Sequence, residues 1–196
     1  MGIDFLQEDG KYGSIEQGNL VVDAVLAKHP SVRLRKVYHA GETRDFQSRN
    51  IEKAVVAGSV RIGHGLNVMQ RIEFLPYCRF LCFEKCPLAN LLLGHTGDPR
   101  ESSAPILLGL GYAVSISVGD AGKLGAEDAT ADYVVTLVSY DWTLKHLKLV
   151  ALHSINHSLQ SEGDRALLLK NFEKRWDEWV DKLLSGVHQT TIKKPK

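Results

Sequence analysis

Short apolar runs alternate with stretches of helical spacing along the chain, and this alternation predicts an α/β fold. Apolar runs of this length, bounded by glycine, proline or polar residues, are typical of buried strands. They lie at residues 2–7, 32–38, 60–62, 80–86 and 113–118. With a helical stretch between each pair, the order βαβαβαβαβ predicts a parallel sheet with right-handed crossovers.

The stretches between the strands have apolar residues three and four positions apart, which is the spacing of helices packed on a sheet. They lie at residues 20–27, 48–58, 69–75 and 103–110. Two further helices are predicted after Asp120, and the first of them begins at Asp141 as its N-cap. The second carries an apolar stripe that predicts packing on the outside of the fold, formed by Leu168, Phe172, Trp176, Trp179 and Leu183.

Two of the predicted strands end in polar turns that contain a histidine and a glycine. The first turn is YHAGET at 38–43, and the second is RIGHG at 61–65. A parallel α/β barrel carries its reactive side chains at the C-terminal ends of its strands. We therefore expect His39, Glu42 and His64 to point into one site.

Size and charge narrow the possible classes. The chain has 196 residues and 44% apolar content, enough for a core, whereas a complete barrel of this kind needs about 250 residues. Twenty-four basic against 23 acidic residues gives no basic excess, so no nucleic-acid partner is expected. No apolar run approaches the roughly 18 residues of a membrane helix, so no membrane partner is expected either.

The first residues lack the layout of a signal peptide, so the chain as written is expected in the cytosol. Its three cysteines, Cys78, Cys82 and Cys86, are an odd number, which argues against a complete disulfide framework. Their spacing of four differs from the common zinc patterns. We therefore expect three buried thiols.

The ordered series HAGET, RIGHG and CPLAN, the last at 86–90, resembles the adenosine deaminase family. Within that family the series is most similar to the secreted adenosine deaminase-related growth factors. The resemblance covers nearly the whole chain but only the second half of the family's barrel. It implies a partial TIM-type (β/α) barrel of family strands four to eight with C-terminal helices, spanning 1–185 and followed by a disordered basic tail at 186–196.

The resemblance also implies a chemistry, the zinc-dependent hydrolytic deamination of adenosine to inosine in purine metabolism. In that reaction a zinc ion lowers the pKa of water, and a carboxylic acid protonates the purine ring. Carried over to matching positions, His39 is a zinc ligand, Glu42 the proton donor and His64 the base that activates the water. Asp120 is the residue that hydrogen-bonds the purine.

Three departures from the family pattern reduce this expectation. Gly119 stands where the family has a ligand aspartate, and Gln7 replaces a glycine against which the purine lies. The family's His-X-His pair is absent. The histidines that come nearest to it, His153 and His157, lie four apart on a helical stretch and are expected to be solvated or capping residues.

His39 is then the single retained ligand, whereas a catalytic zinc site as a rule needs three protein ligands. We expect zinc to be weakly bound or absent and the chain to be inactive by itself. Two alternatives stay open: a non-catalytic interaction or growth-factor-like protein on the same scaffold, and a truncated gene product. Apolar sheet edges at 2–7 and 113–118 also predict self-association.

Overall fold

The computed structural model describes residues 2–6, 14–43, 45, 47–119 and 121–186. The chain divides into two compact units, residues 1–159 and 160–196. The first contains the sheet and most of the helices, and the second contains one long helix. Gln7, Asp120 and the predicted tail from residue 187 onward lie outside the described residues.

The sheet of the first unit has five strands, and every neighbouring pair is parallel. The strands follow the chain order and are β1 Gly2–Phe5, β2 Arg35–Ala40, β3 Ser59–His64, β4 Cys82–Lys85 and β5 Ala113–Ile116. A parallel sheet in which each strand lies beside the next strand of the chain, with helical crossovers between them, has the arrangement of part of a TIM-type barrel. The predicted fold class is therefore confirmed.

Helices follow each strand, as the spacing predicts. They are α1 Ile15–Lys28, α2 Asn50–Val56, α3 Pro87–Leu92, α4 Ala104–Gly109, α5 Ala121–Leu124, α6 Thr130–Ser139, α7 Leu144–Asn156 and α8 Glu162–Leu184. Between β3 and β4 the connection is a 3₁₀-helical stretch, Leu66–Cys78, broken at Arg71. Gly58 follows α2 with φ +83°, the left-handed conformation expected of a residue just past a helix end.

The prediction for the C-terminal third was incomplete. After residue 120 the described part of the chain has four helices where two were expected, because α5 and α6 were missed. α7 begins after Thr143 and not at Asp141, whose φ of +51° places it outside the helix. Thr143 forms a capping box with His146, and its backbone N–H donates to His146 Nδ1 at 3.0 Å.

The two faces of the sheet differ in polarity. The helix-covered face carries Tyr38, Ile62, Phe83 and Val114, which are all fully buried. Burial of such a side chain contributes roughly 1.5–3 kcal/mol each, so this layer is the main source of stability. Because successive strand residues point to opposite faces, the residues next to them line the other face with polar groups.

α7 packs against the edge strand β5. Groups in its C-terminal part and directly after it are hydrogen-bonded to strands of the sheet. His153 places Nδ1 3.2 Å from the backbone nitrogen of Val114 and 3.3 Å from its carbonyl oxygen. Just after α7, the carbonyls of His157 and Ser158 accept hydrogen bonds from arginines of β3 and β2 at 3.0 Å. His153 is therefore packed against the sheet, and His157 occupies the C-cap of α7.

Self-association remains a prediction, and the β1 edge is where we expect it. Leu6 directly follows β1 and is 73% exposed. Leu6→Lys should weaken association about tenfold, because a lysine at a strand edge opposes pairing with another chain. Sedimentation velocity over a concentration series measures this. Val138→Lys, at a 76% exposed position of α6, is the matched control, and a wild-type chain that stays monomeric would contradict the prediction.

No helix within the described ranges is long and apolar enough to cross a membrane.

Candidate functional site

The two histidine-bearing turns lie side by side at the C-terminal ends of β2 and β3. The register pairs Ala40 with His64, and two backbone bonds continue the pairing beyond the strands. Gly65 N–H donates to the carbonyl of Ala40 at 2.9 Å, and Leu66 N–H donates to that of Gly41 at 2.6 Å. The turns are therefore joined by main-chain contacts, and the relative position of their side chains is set by the backbone.

The structure brings together the three site residues predicted on these turns. The rings of His39 and His64 lie with centroids 5.3 Å apart, edge to face. Glu42 reaches back so that its Oε1 is 3.4 Å from His64 Nε2. All three side chains are at most one-fifth exposed, which strengthens the electrostatic interactions among them.

His39 has a carboxylate partner that the sequence did not reveal. Asp4 of β1 places Oδ1 3.1 Å from His39 Nδ1. Burial opposes protonation of His39, but the hydrogen bond and charge of Asp4, with the charges of Glu84 and Glu42, raise its pKa above the usual value. The available signal was a single carboxylate inside the apolar run of β1. An acidic residue that interrupts such a run indicates a polar partner on the next strand.

His64 has the opposite electrostatics and is neutral at pH 7. Burial first, and then the positive charge of His39, lowers the pKa of His64 to about 4. His64 Nδ1 lies 2.9 Å from Oδ1 of Asn90. Because an amide oxygen only accepts, Nδ1 carries the proton and Nε2 keeps its lone pair toward Glu42. His64 is thus a neutral base at pH 7.

A third histidine faces Glu42, and sequence reasoning missed it. His95 Nε2 lies 3.6 Å from the same Oε1 that faces His64. The carbonyl of Asn90 accepts the backbone N–H groups of His95 and Thr96 at 2.9 and 3.1 Å. Asn90, the last residue of the CPLAN motif, therefore orients both histidines around Glu42. The only signal in the sequence was a histidine directly after Gly94, which has the left-handed φ of +74°.

Gly119 is packed tightly against α3. A Cβ at this position would lie 2.7 Å from the Cβ of Ala89 and 3.2 Å from that of Cys86. Real side chains do not approach so closely, so an aspartate here would require α3 to move. The neighbouring call, Asp120 as a purine contact, lies outside the described residues, and so does Gln7.

The described side chains do not fit a zinc ion. No three His, Cys, Asp or Glu residues of the described ranges are placed to hold a metal. His39 already faces Asp4 through Nδ1, and the close packing of Gly119 leaves no space for the carboxylate implied at that position. The chemistry that follows from this structure is therefore proton transfer among Glu42, His64 and their neighbours.

Below these residues a polar network supports the site. Arg61 of β3 is 8% exposed and donates through Nε to Glu84 of β4 at 2.5 Å. Its other nitrogens reach Ser115 Oγ at 3.1 Å and the carbonyl of His157 at 3.0 Å. This network neutralises the guanidinium and joins β3, β4, β5 and the end of α7 beneath the histidines.

Comparison with known proteins gives sequence relatives over most of the chain. Adenosine deaminase 2 of Sus scrofa is 30% identical over 164 residues, covering 79% of this chain and 32% of that protein. Adenosine deaminase 2 of Homo sapiens is 29% identical over 158 residues, covering 76% and 31%. The chain spans about a third of the length of these curated relatives. No family model matches it.

Solved structures share the fold. A cog1816 amidohydrolase from Burkhoderia ambifaria with bound zinc superposes with a TM-score of 0.73 at 20% identity, covering 94% of this chain and 50% of that one. The Arabidopsis protein ADAL in complex with GMP gives 0.72 at 16% identity, covering 89% and 49%. At these identities the likeness shows the fold alone.

The fold and the paired turns define a partial TIM-type barrel with a carboxylate–imidazole cluster at the C-terminal ends of its strands. In sequence the chain resembles the adenosine deaminases, and the resemblance covers the C-terminal portion of their fold only.

Proposed function

We propose that this chain carries the proton-transfer part of an adenosine deaminase-type site and does not deaminate adenosine by itself. The observation that carries the proposal is the contact of Glu42 Oε1 with His64 Nε2 at 3.4 Å, at the C-terminal ends of two adjacent strands. A neutral imidazole next to a carboxyl group can pass a proton between them. That is the acid–base work that addition of water to a purine ring requires.

The two groups have distinct assignments in this proposal. His64, which is neutral at pH 7 and carries its proton on Nδ1, has the free lone pair of Nε2 to accept a proton. Glu42, whose Oε1 faces both His64 and His95, takes up that proton from His64 and delivers it to the substrate. Asn90 is a positioning residue, since it bonds Nδ1 of His64 and the backbone N–H of His95.

We propose that the isolated chain has no turnover because it has too few zinc ligands. A zinc ion supplies the activated water in the family chemistry, and His39 is the single matched ligand. Gly119 cannot supply the missing carboxylate, and the proposal is supported by the position of α3, since a Cβ at Gly119 would lie 2.7 Å from the Cβ of Ala89. The adenosine or related nucleoside partner is therefore proposed for an assembled site only, in which further residues complete the metal set.

A non-catalytic interaction role on the same scaffold is the second candidate. The close packing of Gly119 favours it, because a chain under selection for metal binding would keep that space open. It is compatible with the same fold and with the same buried histidine cluster. Metal content and turnover separate the two candidates from an intact enzyme.

The first test is the metal content of the purified chain. We expect far less than one zinc per chain by elemental analysis after exposure to zinc and desalting, because a single histidine ligand binds the ion weakly. His39→Ala should change little, and His146→Ala, at the N-terminus of α7, is the matched control. Stoichiometric zinc that is lost in His39→Ala but kept in His146→Ala would contradict the proposal.

A further inference from the structure

Lys85 is the one fully enclosed ammonium group that the described residues place beside the site, and the proposed acid–base chemistry does not use it. Lys85 ends β4 within the apolar sequence FLCFEKCP and is only 1% exposed. A buried lysine costs free energy unless its three donors are satisfied. The burial of Lys85 therefore needs a structural explanation.

All three donors of Lys85 have acceptors, and two of these acceptors lie on the turn that carries His64. Nζ donates to the carbonyl of His64, to the carbonyl of Gly65 at 3.2 Å and to Ser103 Oγ at 2.9 Å. It also lies 5.4 Å from the centroid of the Phe83 ring. The ammonium group is thus fully bonded, and two of its partners are consecutive backbone carbonyls.

The backbone of that turn needs such a partner. His64 has φ +62° and Gly65 has φ +56°, so two consecutive residues are left-handed. The carbonyls of both residues accept from Nζ of Lys85, so the two dipoles converge on its ammonium group. For a residue other than glycine this conformation is unfavourable, and a cation at the carbonyls offsets that cost.

We propose that Lys85 is a positioning residue that holds the β3 turn in its left-handed conformation and thereby places His64 against Glu42. The amides of Gly65 and Leu66 bind the β2 turn on one side, and Lys85 binds the carbonyls of His64 and Gly65 on the other. The proposal rests on the proposed function only in treating His64 as a site residue. Its test needs no turnover.

The test is hydrogen exchange of single amides in the full chain, measured by NMR. In Lys85→Met, which keeps the length of the side chain and removes its donors, the amides of Gly65 and Leu66 should exchange about tenfold faster or more. The amides of Ala57 and Tyr140, which end α2 and α6, should keep their rates. This local loss separates positioning from a general loss of stability.

A second variant keeps the proposal open to refutation if Lys85→Met does not fold. Ser103→Ala removes one of the three acceptors of Lys85, together with the 3.5 Å contact of Ser103 Oγ with the Gly65 carbonyl, and leaves both carbonyl contacts of Lys85. The same two amides should exchange severalfold faster while those of Ala57 and Tyr140 stay unchanged. Uniform acceleration of all four amides, or no acceleration at Gly65 and Leu66 in the folded variants, would overturn the proposal. Failure of the deaminase assignment would leave these exchange rates as predicted, so the two failures are distinguishable.

Discussion

Purified wild-type chain is expected to convert no measurable adenosine to inosine, and Gly119→Asp alone is expected to change nothing. Acid–base groups contribute about 10²–10⁴ to such a rate, whereas the activated water depends on a metal. Restoring one carboxylate raises the number of matched ligands from one to two, below the usual three. The loss of adenosine absorbance as inosine forms measures both proteins directly.

The structure adds a steric reason and a sharper variant. A side chain at Gly119 would meet the Cβ of Ala89 at 2.7 Å, so the aspartate variant should be paired with Ala89→Gly. The matched control is Gly122→Asp, since a Cβ at Gly122 meets no atom within 4 Å. We expect the paired variant to fold better than Gly119→Asp and still to lack turnover.

Turnover should require the first three strands of the family's barrel. Mixing the paired variant with a separately made segment that spans the first three strands of a relative supplies the His-X-His pair. We expect turnover from this mixture, and its loss on Glu42→Gln. Wild-type chain that deaminates adenosine with a dependence on Glu42 would contradict the proposed function outright. Activity of Gly119→Asp alone would contradict only the view that half a barrel cannot hold the metal.

Features that depend on neighbouring residues along the chain could be predicted from the sequence, and contacts between distant segments could not. Strand order and the approach of His39 to His64 could be predicted, because apolar runs and the turns that end them are local signals. His95 could not, because it reaches Glu42 through the fold of α3 and a backbone bond to Asn90. The partnership of Asp4 with His39 likewise depends on a register that no single strand specifies.

The first residue of α7 also could not be predicted from local signals. Asp141 and Thr143 are both good N-cap residues, and only the tertiary position of the helix selects between them. Thr143 is chosen because His146 completes its capping box. Lys85 is the reverse case: a lysine in an apolar strand is visible in the sequence, but its three acceptors come from two other segments.

Stability should rise between pH 7.5 and 9 because of Lys85. Burial lowers the pKa of Lys85 to about 7, whereas its ordinary value is 10.5, and the nearby thiols of Cys86 and Cys82 only partly oppose this shift. At a pH between these two pKa values, Lys85 is protonated in the unfolded chain and neutral in the folded chain. The free energy of unfolding therefore increases with pH by up to about 1.4 kcal/mol per pH unit.

A comparison with the variant is needed because other groups also titrate near this window, among them His39, whose pKa is raised above its ordinary value. His64 changes charge well below pH 7, and burial raises the pKa of the Cys78 and Cys82 thiols to about 11, which makes stability fall above pH 9. These groups are present in both proteins, so the difference between wild type and Lys85→Met isolates the lysine. The other polar group that faces its ammonium, Ser103, does not titrate.

Urea unfolding at pH 7.5 and pH 9 measures the effect. Relative to Lys85→Met, wild type should gain about 2 kcal/mol across this interval, since its unfolded state binds about one more proton than its folded state over these 1.5 pH units. Lys28→Met, at an exposed position in the last turn of α1, should behave as wild type. An equal gain in Lys85→Met would mean that the proton leaves another group.

Loss of the proton from Lys85 also weakens its contacts to His64 and Gly65, because a neutral amine keeps two donors where the ammonium has three. Above pH 7 the chain thus becomes more stable as the turn that carries His64 becomes less firmly held.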